Sequence, residues 1–307
     1  MTAVLAPSDP VLLEFAELVG ADDPVAVSGK RTRWELGGQL ADGTRVVEAP
    51  SGIVDYQPAE MTVTVRAGTS VTELNAALAE KGQRSGLPDR GGTVGGALAV
   101  GESDVRALGR GLIRAAPLQV RYVSAEGEVV TSGGPTVKNV SGFDLPRLMV
   151  GSLGTLGLLA EVILRTNPVP PTARWYSCRD VDPTDVLDTL LAPSCVLWDG
   201  STTWVEIEGH TADVDAEARA LEIIGPFDES DGPPELPPHR WSVPPSQAQR
   251  LPTTGRSIVA IGLGLAFADE PAPTRPLDPP VAELHRRLKD NFDPTGRLNP
   301  GRDAGSV

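Results

Sequence analysis

The chain has 307 residues, 40% of them apolar, which is enough to close a hydrophobic core without metals or disulfides and excludes disorder throughout. With 27 basic residues against 41 acidic ones the net charge is −14, and no basic patch marks a nucleic-acid footprint. Glycine (33) and proline (29) fill about a fifth of the chain against a usual share of roughly an eighth, without any repeat, so many turns and close backbone approaches are expected.

Residues 11–20 (VLLEFAELVG) predict an opening helix, followed by a short strand over 24–28 that ends at Gly29. Residues 53–56 and 62–66 (TVTVR) alternate β-branched and polar side chains and predict strands. Ser70, with Glu73 three positions on, has capping-box spacing, and Val71, Leu74 and Leu78 share one face of a helix ending near Lys81-Gly82. Glycines 86, 91, 92, 95, 96 and 101 then strip side chains from a stretch suited to lie against a ligand. A hairpin is expected over 118–130 with its turn at Glu126-Gly127, and a second glycine-rich unit, 133–166, ends in a buried strand over 160–165.

Asn167–Pro171 (NPVPP) is the sharpest punctuation in the chain and places a domain boundary there, giving domains 1–168 and 169–307. Beyond it a strand is expected over 203–208, a helix over 211–222, a proline-rich surface loop over 226–256 and a helix over 281–291. The stretch 257–268 (SIVAIGLGLAFA) reads as one buried strand, too short for the 20 or so residues of a membrane-spanning helix. The N-terminus lacks the pattern of a secretory signal, so a cytoplasmic location is expected. Cys178 and Cys195 form no disulfide framework and are expected to be reduced, and the three histidines stand apart, so no metal site is expected.

Two glycine nests, near 91–96 and 151–157, offer backbone N–H groups to an anion such as a pyrophosphate, or serve tight turns and packing. A Rossmann fingerprint and a lysine-bearing phosphate loop are both absent, which sets nicotinamide and nucleoside-triphosphate chemistry aside.

Segments 50–83, RGGTVGGALAVG at 90–101 and GGPTVKNVSGFDLPRLMVGSLGTLGLLAEVILRT at 133–166 resemble the FAD-binding domain of the vanillyl-alcohol oxidase and p-cresol methylhydroxylase superfamily. Within it the chain is most similar to the E-type FAD-binding subunits of bacterial glycolate oxidases, and the tail FDPTGRLNPGR, 292–302, is typical of related 2-hydroxy-acid oxidising flavoproteins. The resemblance implies an α+β fold: a two-subdomain FAD-binding fold of the p-cresol methylhydroxylase type, then a smaller α+β cap region whose tail returns towards the FAD domain. It implies FAD, held non-covalently because neither a histidine nor a cysteine lies in the FAD-like loops. The pyrophosphate loop falls on Ser28, Gly29, Lys30, Arg31 and Thr32, and the second loop on Gly91, Gly92, Thr93, Val94, Gly95 and Gly96. Pro88, Ser103, Lys138, Asn139, Ser141, Gly142, Gly151 and Gly154 are further FAD-facing candidates. Asp144 reads as a helix N-cap, with Pro146 in the first turn and Arg147 placed to pair with it.

The sequence departs from the family in three places. The first loop, SGKRTRWELGG, keeps Gly29 but delays the next glycines to 37 and 38; Glu102 adds a charge and Ala115 replaces the usual aspartate; Leu153 stands where many catalytic relatives carry glutamate, the same leucine being expected in E-type subunits. Oxidation of a 2-hydroxy acid needs a base and a cation for the carboxylate, and no cluster supplies them: Arg174, His239 and Arg240 stand singly, so the catalytic residues are left unassigned. The leading expectation is a FAD-binding subunit of a glycolate oxidase complex, working with a second FAD-containing catalytic subunit and an iron–sulfur subunit, with any membrane contact made through those partners. The alternatives are a non-catalytic stabilising subunit and a self-contained flavin-dependent alcohol oxidase.

Overall fold

A computed structural model describes residues 9–135, 144–251, 253–273 and 277–306. In chain order the elements run α1 (Pro10–Val19), β1 (Val25–Ser28), β2 (Arg45–Glu48), β3 (Ile53–Gln57), β4 (Thr62–Arg66), α2 (Val71–Ala79), β5 (Gln83–Ser85), α3 (Val94–Val100), α4 (Ala107–Arg110), β6 (Pro117–Val123), β7 (Val129–Gly133), α5 (Leu145–Met149) and β8 (Leu158–Pro168). Then follow β9 (Thr172–Arg179), α6 (Pro183–Thr189), β10 (Pro193–Trp198), β11 (Thr202–Gly209), α7 (Thr211–Ile224), β12 (Asp228–Ser230), β13 (His239–Ser242), β14 (Ser257–Ala260), β15 (Leu265–Ala268) and α8 (Pro279–Phe292).

The chain divides into two compact units. The first comprises Met1–Ser103, Ile113–Pro168 and Arg275–Val307; the second comprises Asp104–Leu112 and Val169–Thr274. A short excursion inside 1–168 thus groups with the second unit, and the last thirty-odd residues group with the first.

The first unit is built on an antiparallel sheet of order β3-β4-β8-β6-β7, with β5 also paired to β8. Alternation along β4 sends Val63 and Val65 into a core shared with Leu74 and Leu78 of α2 and Val94 and Leu98 of α3. Leu12, Phe15, Ala16 and Val19 of α1 pack with Val25, Val47, Leu158 and Leu298 in a second cluster, where β1 and β2 form a parallel pair. The cap expected at Ser70 forms, its hydroxyl accepting from Glu73 N at 3.1 Å, and Asp144 accepts from Arg147 N at 3.2 Å as the N-cap of α5.

The segment after α8 closes this unit. Val25 N donates to Arg297 O at 2.9 Å and Asn299 N to Val25 O at 2.8 Å, so residues 297–299 extend the small parallel sheet. The Arg297 side chain is buried and donates to the carbonyls of Asp23 (3.0 Å), Ala125 (3.1 Å) and Val19 (2.9 Å). Its guanidinium fills the role that water plays at exposed chain ends, satisfying three carbonyls at once.

The second unit is a seven-stranded antiparallel sheet of order β12-β9-β11-β10-β14-β15-β13. Val186 and Leu190 of the α6 region and Val214 and Leu221 of α7 cover one face against Tyr176, Val196, Val205 and Ile207. On the other face Trp175, Cys195, Leu197, Ile258 and Phe267 pack with Val105. The excursion is fastened there by Arg106 to Glu206 at 2.7 Å and Arg110 to Glu208 at 2.8 Å.

Two expectations in this unit are corrected. The stretch 257–268 is a hairpin, β14 and β15, because Gly262 (φ 81°) and Gly264 (φ 66°) turn the backbone in its middle. The stretch 226–256 is not a plain loop: it supplies β12 and β13, the two edge strands of the sheet, and Trp241 of β13 is buried. Prolines flank these strands, and edge strands tolerate such neighbours because one row of N–H groups has no ladder to serve.

Candidate functional site

An open cleft of about 1100 Å³, mouth included, lies within the first unit. Its walls come from the turn after β1 (Gly29–Trp34, Leu36), the loop and start of α3 (Pro88, Arg90, Gly92, Thr93, Gly95–Ala97), the end of α3 with Glu102, the turn before β8 (Leu153, Gly154) and, from the C-terminal segment, Asn299 and Arg302.

Glycine is needed here for close approach. A Cβ on Gly29 would collide with the Thr93 side chain, and one on Gly95 would lie 2.7 Å from Ala67 Cβ and 3.0 Å from Ala67 O. The first and second loops thus face one another, with the Thr93 side chain against Gly29 and the Thr32 hydroxyl towards Gly92. Thr93 caps α3, its hydroxyl accepting from Gly96 N at 3.2 Å. Four of the six amides over 91–96 are already bonded within the protein: Gly91 to Asp89, Val94 to Thr69 O, Gly95 to Ala67 O and Gly96 to Thr93.

Charge in the cleft is predominantly positive although the chain is acidic. Arg33 (3.4 Å) and Arg90 (3.0 Å) converge on the buried Glu102. Arg31 stands 4.8 Å and Arg302 5.2 Å from the centre of the Trp34 ring, in cation–π contact with it. Arg302 also donates to Leu36 O at 3.0 Å and to Gly38 O. Burial lowers the pKa of this guanidinium from its ordinary value, with Glu35 opposing the shift. Arg31 holds a left-handed backbone (φ 55°), a conformation that glycine adopts at far lower cost.

Of the residues the sequence singled out, Gly29, Lys30, Arg31, Thr32, Pro88, Gly92, Thr93, Gly95, Gly96 and Gly154 line this cleft. Ser28, Gly91, Val94, Ser103 and Gly151 do not line it: Val94 is core, and Ser103 Oγ accepts from Ile113 N at 3.2 Å. Lys138, Asn139, Ser141 and Gly142 lie outside the described residues. In the second unit Arg174 of β9 is paired with Asp215 at 2.8 Å, and four strands lie between β9 and the β13 that carries His239 and Arg240, so these do not converge. Trp34, Arg90, Asn299 and Arg302 were missed. The one signal for them was the basic and aromatic character of KRTRW and the arginine closing RLNPGR.

Residues 13–133 match the family described as FAD binding domain. The FAD binding domain so matched supplies the cleft's walls from Val27 to Glu102, and the remaining wall residues lie later in the chain. The chain is 28% identical to glycolate oxidase subunit GlcE of Escherichia coli, across 96% of this chain and 97% of that protein. It is 28% identical to glycolate oxidase subunit GlcD of Bacillus subtilis over 59% of this chain and 40% of that protein. It is 33% identical to D-2-hydroxyglutarate dehydrogenase of Xanthomonas citri over 48% and 33%; the chain spans only a third to two fifths of these last two. A solved structure of alkyldihydroxyacetonephosphate synthase shares the fold, with a TM-score of 0.67 at 14% identity over 94% of this chain and 73% of that one. The resemblance to E-type glycolate oxidase subunits and the α+β FAD-binding fold are both borne out.

Proposed function

We propose that this chain is a FAD-binding subunit of a 2-hydroxy-acid oxidising complex of the glycolate oxidase type. The observation that carries the reading is the cleft of the first unit: two glycine loops brought face to face, lined by cations, in a chain similar to a glycolate oxidase subunit over nearly its full length. The residues fit a dinucleotide. Apolar side chains such as Val27, Val100, Leu153 and Leu159 offer a surface for a flat ring system, while Lys30, Arg31 and Arg302 supply positive charge for phosphates. FAD held there supplies the two-electron acceptor that hydroxy-acid oxidation requires.

Among the described residues, this chain's own groups in the cleft bind and orient rather than act as a base. Glu102 is the one carboxylate among the described lining residues, and two guanidiniums hold it. The proton therefore leaves through another subunit, and the complex includes a second FAD-containing catalytic subunit and an iron–sulfur subunit that receives the electrons. Attachment of the flavin is non-covalent, with no histidine or cysteine among the described lining residues. Among the described residues no helix is long and apolar enough to cross a membrane. A cytoplasmic location, with any membrane contact made by the partner subunits, is part of the proposal.

Purification of the full chain after expression with adequate FAD tests the reading. Bound flavin is expected to show its near-ultraviolet and blue absorption bands and to be released by acid. Glycolate is expected to bleach those bands only when the partner subunits are co-purified. Absence of flavin in the purified chain would overturn the proposal, and bleaching of the isolated chain by glycolate would overturn its division of labour.

A further inference from the structure

Four guanidiniums line the cleft, and the structure divides them into two pairs. Arg33 and Arg90 share the single negative charge of Glu102. Arg31 and Arg302 gather at the Trp34 ring, and among the described residues no carboxylate lies within ion-pair distance of either. Glu35 acts on Arg302 from beyond that distance, yet two like charges drawn to one ring still repel each other, and an anion joining them would stabilise the arrangement.

The backbone cannot take over that role easily. Most of the amides of the 91–96 loop are spent on Asp89, Thr69, Ala67 and Thr93, and the 29–34 turn carries side chains where further glycines would expose N–H groups. Arg302 is also oriented: the carbonyls of Leu36 and Gly38 fix one of its nitrogens, so the planar fork is aimed by the first loop itself. Neighbouring backbone bonds, Asp303 N to Gly37 O at 2.8 Å and Ala41 N to Pro300 O at 2.9 Å, hold the two segments together.

We propose that Arg302, on the segment after α8, acts with Arg31 as the pair of phosphate-positioning cations of the cleft, with Trp34 as the brace that sets both guanidiniums, and that their ligand is the diphosphate of the bound dinucleotide. This rests on the FAD reading above. Charge-assisted side-chain contacts thereby replace backbone amides that a glycine-rich first loop would present, and the cofactor site is incomplete without the C-terminal segment.

Binding of FAD, ADP and riboflavin to the flavin-stripped full chain tests this, because only riboflavin lacks phosphate. Arg302→Gln keeps donors for the Leu36 and Gly38 carbonyls while removing the charge. It is expected to weaken FAD and ADP by about ten- to a hundredfold, the value of a charge-assisted hydrogen bond, and to leave riboflavin unchanged. Arg302→Lys is expected to recover part of the loss, and Trp34→Leu to weaken FAD and ADP together. The salt dependence of ADP binding is expected to be shallower in Arg302→Gln than in the wild type, which a merely loosened loop would not produce. Wild-type ADP affinity in Arg302→Gln overturns the proposal, as does an equal loss of ADP and riboflavin. If the wild-type chain binds ADP but not FAD, the cofactor reading fails and the phosphate pair stands; if it binds neither, both fail.

Discussion

The Asn299 side-chain amide donates to the Leu153 carbonyl at 3.0 Å, in a buried contact that ties the C-terminal segment to the turn before β8. Asn299 sits at φ 45°, a conformation asparagine tolerates better than most residues. Its replacement by alanine leaves the carbonyl unsatisfied and is expected to cost about 1–3 kcal/mol. The check is chemical denaturation, where the midpoint should fall with little change in slope. Asn299→Asp should cost more, since it sets an acceptor against an acceptor.

Glu161 of β8 lies between Arg66 (2.8 Å) and Arg121 (3.0 Å), with Asp9 also on Arg66. The Arg66 contact is close, yet Arg66 Nη1 and Glu161 Oε2 have no hydrogen bond of acceptable angle. Burial therefore outweighs the two guanidiniums and pushes the Glu161 pKa up. A pKa raised on folding means that the folded state binds the proton more tightly, so this group adds stability as the pH falls through its raised pKa towards its unfolded value. Asp9 acts in reverse: its hydrogen bond with Arg66 lowers its pKa, and its contribution is lost as the pH falls through that lowered value. Glu161→Ala at neutral pH leaves Arg66 with Asp9 alone and Arg121 without this partner, and is expected to cost about 1–3 kcal/mol, whereas Arg66→Met/Glu161→Leu/Arg121→Leu should recover most of it. Thermal melting of the single and triple variants decides between these.

Glu102 is the one carboxylate among the described residues lining the cleft, and it holds Arg33 and Arg90. Glu102→Gln frees Arg33 and Arg90, and ADP is expected to bind more tightly by a few-fold at low salt, of order 1 kcal/mol. The gain should fade as ionic strength rises. Weaker binding instead would mean that Glu102 matters by holding the two arginines in place.

Gly95 has no room for a methyl group, because Ala67 meets it with backbone as well as with Cβ. Gly95→Ala is expected to cost about 1–3 kcal/mol by overpacking and to lower the flavin content of the purified chain. Gly91→Ala is a useful contrast: space around it is open, but its φ of 72° makes the penalty one of backbone conformation. Melting temperature and flavin-to-protein ratio, measured together on both variants, separate the two causes.

The elements most legible in the sequence are those whose instructions are local. The alternation of TVTVR, the Ser70 cap and the glycine at position 127 of the β6-β7 turn each act within a few residues. The middle of 257–268 misled because apolar runs look alike in one long strand and in two short ones, and the two glycines that divide it are read only as turn formers once the hairpin is seen. In the cleft, glycine loops were legible through spacing, whereas Trp34 and Arg302 meet only because the chain's last segment adds to β1. No periodicity links residues so far apart. The excursion at 104–112 was hidden for the same reason: its arginines acquire meaning only beside Glu206 and Glu208.

Arg297 joins residues that the ribosome makes at opposite times. Its three carbonyl partners, at 19, 23 and 125, emerge long before it does, and the whole stretch 169–274 is synthesised in between. During translation the second unit thus has all its residues before the first has its closing segment. The nascent first unit waits with α1 and β1 unfastened, which makes that interval the time when it is most exposed to proteases and chaperones.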